Sequence, residues 1–284
     1  MRAVLSGGVA LGAAVFSVLW WGQESLLFHP EPLPPDHRFS AAPDVHEVFI
    51  EVPGARLNAL HLRLPKPRGL VFYLHGNAGN LDNWFVNPDF YRALNMDLFM
   101  IDYRGFGKSS GRIAGEAQLL ADARAAWQSV APQYAGRPVV VLGRSLGTGV
   151  AAQLAASLPP GDRPDLLLLV SPYLSLQALA AQHYPWVPAG LLRYPLRTDL
   201  AFEGGLADAR TRVVLVHGEQ DALIPLRHSE ALAALLPRAE LHRIAGAAHA
   251  DLQAFPAYLE AIRRAIQALQ ATAPHRAGDG TTAD

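Results

Sequence analysis

Ser145 lies in the run Gly143-Arg144-Ser145-Leu146-Gly147, between an apolar stretch, VVVLG, and a stretch of small residues, LGTGVAAQLAASL. A serine hydroxyl is a weak nucleophile until a neighbouring base takes its proton. Glycines two residues away on either side let a strand turn sharply into a helix and leave the hydroxyl exposed at the tip of the turn. The alternative reading of Ser145 is a helix N-cap. For a nucleophile at such a turn, the acid and then the histidine follow in the chain. The histidines past Ser145 are His183, His217, His228, His242, His249 and His275. His249, in IAGAAHADL, falls between the apolar run AELHRI and the final helical stretch, where a loop can carry a base to the end of a sheet. His217 ends a strand in VLVHGEQD and reads as structural, His228 opens a surface helix, and His275 is in the tail. The acid should follow the strand before His249, where HGEQDALIP offers Glu219 and Asp221; Asp251 reads as a cap of the final helix. Acyl chemistry also needs N–H donors for the developing oxyanion. Leu146 supplies one, and Asn77 or Ala78 in the loop LHGNAGN supplies the other; by itself that loop equally reads as a glycine turn into a helix.

The elements that must hold these groups are legible as pattern. GLVFYLHG, MDLFMIDYRG, RPVVVLGRS, DLLLLVSP and TRVVLVHGEQD are short continuous apolar runs, and helical stretches such as EAQLLADARAAWQSVAPQY and SEALAALLP separate most of them. Apolar strands alternating with helices predict a mainly parallel sheet covered on both faces, an α/β fold. LNALHLRLP alternates Leu60, Leu62 and Leu64 with His61 and Arg63, the pattern of a half-buried antiparallel strand. LQAFPAYLEAIRRAIQALQ predicts a last amphipathic helix with Pro256 in its first turn.

Outside this core the sequence divides into segments. Residues 3–21 carry no charge, and at about 1.5 Å per residue a helix of that length reaches roughly 28 Å, close to a bilayer core. Trp20 and Trp21 then fall where an interfacial belt lies. Residues 1–23 are therefore expected to form one membrane-spanning anchor, with a cleaved signal peptide as the alternative. Arg2 before the run and Glu24 after it place the catalytic domain on the extracytoplasmic side. Residues 24–44, with five prolines between His29 and Asp44, read as an extended linker; residues 45–271 form the folded domain, and 272–284 a disordered tail. The formal net charge of −1 and the absence of a basic run speak against nucleic acid as a partner. The absence of cysteine excludes disulfides, thiolate metal sites and a cysteine nucleophile. Two lysines, Lys66 and Lys108, against 22 arginines suggest a GC-rich bacterial source.

FYLHGNAGN, DYRGFGKSSG, LGRSLGTG, SPYLSL, HGEQDALIP and GAAHADL resemble, in order, the motifs of the α/β-hydrolase superfamily. The uncharged N-terminal run followed by QESLLFHP is similar to its Bem46-like branch of ABHD-type serine hydrolases, which carry a serine aminopeptidase S33 domain. The resemblance spans roughly residues 24–270. It implies the acid is Asp221, on the family's G-x-x-D turn, and leaves Glu219 as a surface residue. It further implies a Ser/Asp/His hydrolase without metal or organic cofactor, acting on acyl esters or thioesters. About 35 residues separate SPYLSL from RVVLVHG, too few for a large cap. The apolar HYPWVPAGLLRYPL within them is either a short lid or a helix packed on the sheet edge; Tyr184, Trp186 and, from DYRGFG, Tyr103 are candidate substrate contacts. The sequence thus leads to a monomeric, membrane-anchored esterase for a small or lipid-like acyl substrate. The rivals are a peptidase releasing N-terminal residues and a catalytically silent binding scaffold.

Overall fold

The structure is a computed structural model that describes residues 17, 20–40 and 42–272. Its centre is an eight-stranded sheet built from β1 (Val45–Val52), β2 (Ala55–Leu62), β3 (Gly69–Leu74), β4 (Met96–Ile101), β5 (Val139–Arg144), β6 (Leu166–Val170), β7 (Arg212–Gly218) and β8 (Glu240–Ile244). The spatial order is β8-β7-β6-β5-β3-β4-β2-β1. From β8 to β4 all neighbours are parallel, while β2 runs antiparallel to both β4 and β1. Chain order reverses at β3, which has β4 on one side and β5 on the other. The crevice beyond the carboxyl ends of such a pair is where an open α/β sheet presents a ligand site.

The apolar runs become strands because both their faces are covered. Along β5, Val139 and Val141 join a core with Ala123, Trp127 and Val150 from the helices Glu116–Val130 and Leu146–Ser157. Val140 and Leu142 face the opposite core, against Tyr258, Ile262 and Ile266 of the helix Pro256–Thr272. That last helix starts at Pro256, whose missing N–H costs nothing in a first turn.

Two features depart from the sequence reading. The alternating strand β2 is buried on both faces from Leu57 to Leu62. His61 faces inward, with Nε2 2.9 Å from the Tyr134 hydroxyl, which in turn donates to Asp97. This polar chain lets an imidazole take a core position. The proline-rich segment is also no free linker. Gln23–Leu27 forms a helical turn, Phe28 packs edge-on against the Tyr194 ring, and His29–Pro30 pairs in parallel with Ala78–Gly79.

Among the described residues no helix is long and apolar enough to cross a membrane. The uncharged run 3–21, expected to span one, lies largely outside the described residues, as do residues 273–284 of the tail.

Candidate active site

Strand β5 ends at Arg144, and Ser145 follows with φ 51° and ψ −121° before the helix Leu146–Ser157 begins. A non-glycine residue held at positive φ costs of order 1–3 kcal/mol and persists only where its surroundings impose it. Here the glycines are imposed by contact. A Cβ on Gly143 would meet the Gly147 carbonyl oxygen at 2.5 Å, and one on Gly147 would meet the Leu74 carbonyl oxygen at 2.1 Å. The Ser145 N–H donates to the Val170 carbonyl at 2.9 Å, tying the turn to β6. Its side chain makes no capping bond, so the N-cap reading of Ser145 fails.

The Ser145 hydroxyl instead lies 3.1 Å from His249 Nε2, and His249 Nδ1 lies 2.7 Å from Asp221 Oδ2. The structure therefore brings Ser145, His249 and Asp221 together in one hydrogen-bonded chain, while Glu219 is exposed on the surface. The loops that carry the acid and the histidine are bonded to each other. Glu219 N–H donates to Ile244 O at 3.1 Å and Gln220 N–H to Ala247 O at 2.9 Å. Gly218 permits that approach, since a Cβ there would meet Ala247 O at 2.3 Å. Asp251, read as a helix cap, makes no capping bond; its carboxylate accepts the Ala248 N–H at 2.8 Å and so braces the loop of His249 from within. From the other side Arg144 donates to the His249 carbonyl at 3.2 Å, its guanidinium over the Trp84 ring.

Burial by itself would raise the Asp221 carboxyl. Hydrogen bonds from His217, His249 and the Ile224 N–H outweigh it and hold the group below the usual carboxylate range. His217 was legible as a structural histidine, but its place beside the acid was not: Nε2 is 2.6 Å from Ile224 O and 3.4 Å from Asp221 Oδ2, and Nδ1 is 2.6 Å from the Ser229 hydroxyl. His228 is buried rather than on the surface, because it takes the Leu174 N–H on Nδ1 and faces Gln182 with Nε2.

The loop Leu74–Asn80 passes beside the nucleophile, a Cβ on Gly76 falling 3.7 Å from Ser145 Cβ. The Asn77 N–H has no acceptor among the described residues. The Leu146 N–H, first in its helix, has none within the helix. Behind the loop, His75 and Asp102 extend β3 and β4 by one residue each, as the pairing of Leu74 with Ile101 requires, and meet at 3.3 Å with no exposure. Burial raises the Asp102 carboxyl against the lowering effect of His75. That pair was predictable from strand register but not from either motif alone. Of the three candidate substrate contacts, Tyr103 is buried with its hydroxyl committed to His75 O at 2.9 Å, which removes it from a substrate surface. Tyr184 and Trp186 are 56% and 67% exposed, on an irregular segment between Leu176–His183 and the turn Ala189–Leu191. The segment is thus neither a packed helix nor a large cap.

The family model described as serine aminopeptidase, S33, matches residues 65–195. An uncharacterized protein of Mycobacterium tuberculosis is 32% identical over 267 residues, covering 90% of this chain and 92% of that protein. Protein bem46 of Schizosaccharomyces pombe is 30% identical over 164 residues, 57% of this chain and 54% of its own. Human alpha/beta hydrolase domain-containing protein 17C is 29% identical over 223 residues, 74% of this chain and 62% of its own. Among solved structures, an esterase of Pyrococcus furiosus superposes with a TM-score of 0.66 at 16% identity, covering 86% of this chain and 98% of that one. A soluble variant of Saccharomyces cerevisiae monoglyceride lipase, in complex with a substrate analog, gives 0.63 at 16% identity, covering 83% and 99%.

Proposed function

The chain belongs to the Bem46-like, ABHD-type branch of the α/β-hydrolases, and on that premise we propose that it is a membrane-anchored serine hydrolase cleaving acyl esters or thioesters. The observation that carries this reading is the chain Ser145–His249–Asp221 at a strained strand-to-helix turn. Asp221, kept charged, accepts the Nδ1–H of His249 and leaves Nε2 free to take the Ser145 proton. The serine oxygen attacks the acyl carbonyl, and the oxyanion is met by the Leu146 N–H and the N–H of Asn77 or Ala78. The imidazolium returns the proton to the leaving alcohol or thiol. Water, deprotonated by the same Nε2, then hydrolyses the acyl-enzyme.

Exposed side chains beyond the strand ends favour a lipid-like acyl group. Large apolar side chains are exposed on segments at the carboxyl edge of the sheet: Val86 beyond β3, Tyr184 and Trp186 beyond β6, and Leu223 beyond β7. Trp21, the last residue of the uncharged run 3–21, and Leu26 shortly after it are exposed as well. An apolar rim of this kind, in a chain that also carries an uncharged run of bilayer length, suits a site whose substrate comes from a bilayer. With Arg2 inside, the domain would lie on the extracytoplasmic side.

Turnover of p-nitrophenyl esters from acetate to palmitate, beside aminoacyl p-nitroanilides, tests the reading. The expectation is ester cleavage with an optimum beyond acetate. Cleavage of the anilides alone would transfer the assignment to the peptidase class named in the family model. No turnover of either would leave a binding scaffold.

A further inference from the structure

We propose that residues 23–33 are a positioning strap of the active site, and not merely the passage from the N-terminal run to the domain. The inference rests on the reading of Asn77 and Ala78 as oxyanion donors. Along this segment the N–H groups of His29, Glu31 and Leu33 donate to Asn77 O at 2.7 Å, Gly79 O at 3.1 Å and Gly107 O at 2.8 Å. Pro30, Pro32 and Pro34 alternate with them, at the positions whose N–H would point away from the loops and find no partner. The prolines therefore enforce an extended strand that donates from one side only. Two side chains of the oxyanion loop complete the seam: Asn77 Nδ2 donates to Leu27 O and Asn80 Nδ2 to Glu31 O, both at 2.9 Å. At its start the strap also grips the segment beyond β6. Gln23 bonds Leu191 O at 2.6 Å and the Arg193 N–H at 2.7 Å, and Glu24 accepts the Tyr194 hydroxyl at 2.7 Å beside Arg193 at 3.1 Å.

The consequence for catalysis follows from the planarity of the peptide group. A trans peptide holds its C=O and N–H in opposite directions, so fixing one fixes the other. The Gly76–Asn77 unit is held by its Gly76 carbonyl, 2.7 Å from His75 Nδ1. The Asn77–Ala78 unit is held by its Asn77 carbonyl, which His29 of the strap engages, and this directs the Ala78 N–H away from the strap. A loop containing Gly76, Ala78 and Gly79 has little stiffness of its own. An oxyanion donor, however, must be placed to within about 0.5 Å. The strap thus couples the N-terminal segment to the acylation step.

His29→Pro in the full chain removes the N–H that engages Asn77 together with the imidazole, and Phe28 already has the extended φ −118° and ψ 128° that precede a proline. His29→Ala keeps that N–H and serves as the conservative control. The expected result for H29P is fluorophosphonate acylation slowed at least about tenfold, with KM unchanged and amide exchange of residues 76–80 accelerated. H29A should match wild type in all three. Wild-type acylation and exchange in folded H29P would overturn the proposal, as would an equal loss in H29A. Should H29P not fold, E31P against E31A carries the same test at Gly79. Should the wild type itself not react, the amide exchange decides the strap alone, and the failure belongs to the hydrolase reading.

Discussion

The two acids of HGEQDALIP sit in different environments, and substitution separates the roles proposed for them. Asp221 is held ionised by three donors and sets the His249 tautomer. D221N should therefore lower kcat by about 10³–10⁴-fold with KM little changed, whereas E219Q should match wild type in the same ester kinetics. The reverse result would move the acid to Glu219. Residue chemistry of this kind was legible because serine, acid and histidine each sit at a strand end marked by glycine. The environment of those residues was not. Arg144 on the His249 carbonyl joins segments far apart in the chain, while His217 beside Asp221 and Asp251 under Ala248 are near neighbours brought together by loop conformations that no sequence pattern announces.

Among the elements, the strand-to-helix turn depends on a packing contact that a single methyl group tests. G147A places a carbon 2.1 Å from the Leu74 carbonyl oxygen, so the helix Leu146–Ser157 must lift from the end of β3. A loss of about 1–3 kcal/mol in chemical denaturation is expected, together with a larger loss of kcat. G161A, with nothing within 4 Å of the added carbon, should leave both unchanged. The parallel sheet was readable because strands covered on both faces are continuous apolar runs. The segment 24–44 misled for a physical reason: proline is the mark of a linker, yet it also fits an edge strand when it falls on every second residue. In HPEPLP the in-phase residues His29, Glu31 and Leu33 keep the N–H groups that the loops require. β2 misled in the opposite sense, since its alternation hides a histidine satisfied by Tyr134.

At the scale of the whole molecule, two buried imidazoles with lowered proton affinity contribute to how the fold responds to acid. Burial first, then the neighbouring charges of Arg63 and His46, lowers His61 to about 4; burial, then Arg227, His217 and His183, lowers His228 to about 4. Unfolded histidines take a proton near pH 6.5. Between those values the unfolded chain binds more protons than the folded one at these two sites, so their contribution is full above about pH 6.5 and falls as pH drops toward 4, while the carboxyls of Asp97, Asp102 and Glu116, raised by burial, act in the opposite sense. Each group contributes at most about 3 kcal/mol to that fall. Urea denaturation at pH 7 and pH 5 isolates this contribution: relative to wild type, H228N should be less destabilised on going from pH 7 to pH 5, and an equal change in both would remove His228 from the acid response. The apolar rim makes a second prediction at this scale. Y184S/W186S should leave hydrolysis of a soluble short ester unchanged and slow cleavage of the same ester class presented in vesicles several-fold; equal rates on both would dissociate the rim from substrate delivery.

Intact-mass analysis of the full chain after fluorophosphonate treatment reads whether Ser145 is an activated nucleophile. A single adduct is expected, mapped by peptide sequencing to Ser145, absent from S145A and strongly slowed in H249Q. Labelling that survives in S145A, or a folded wild type that takes no adduct, would contradict that role.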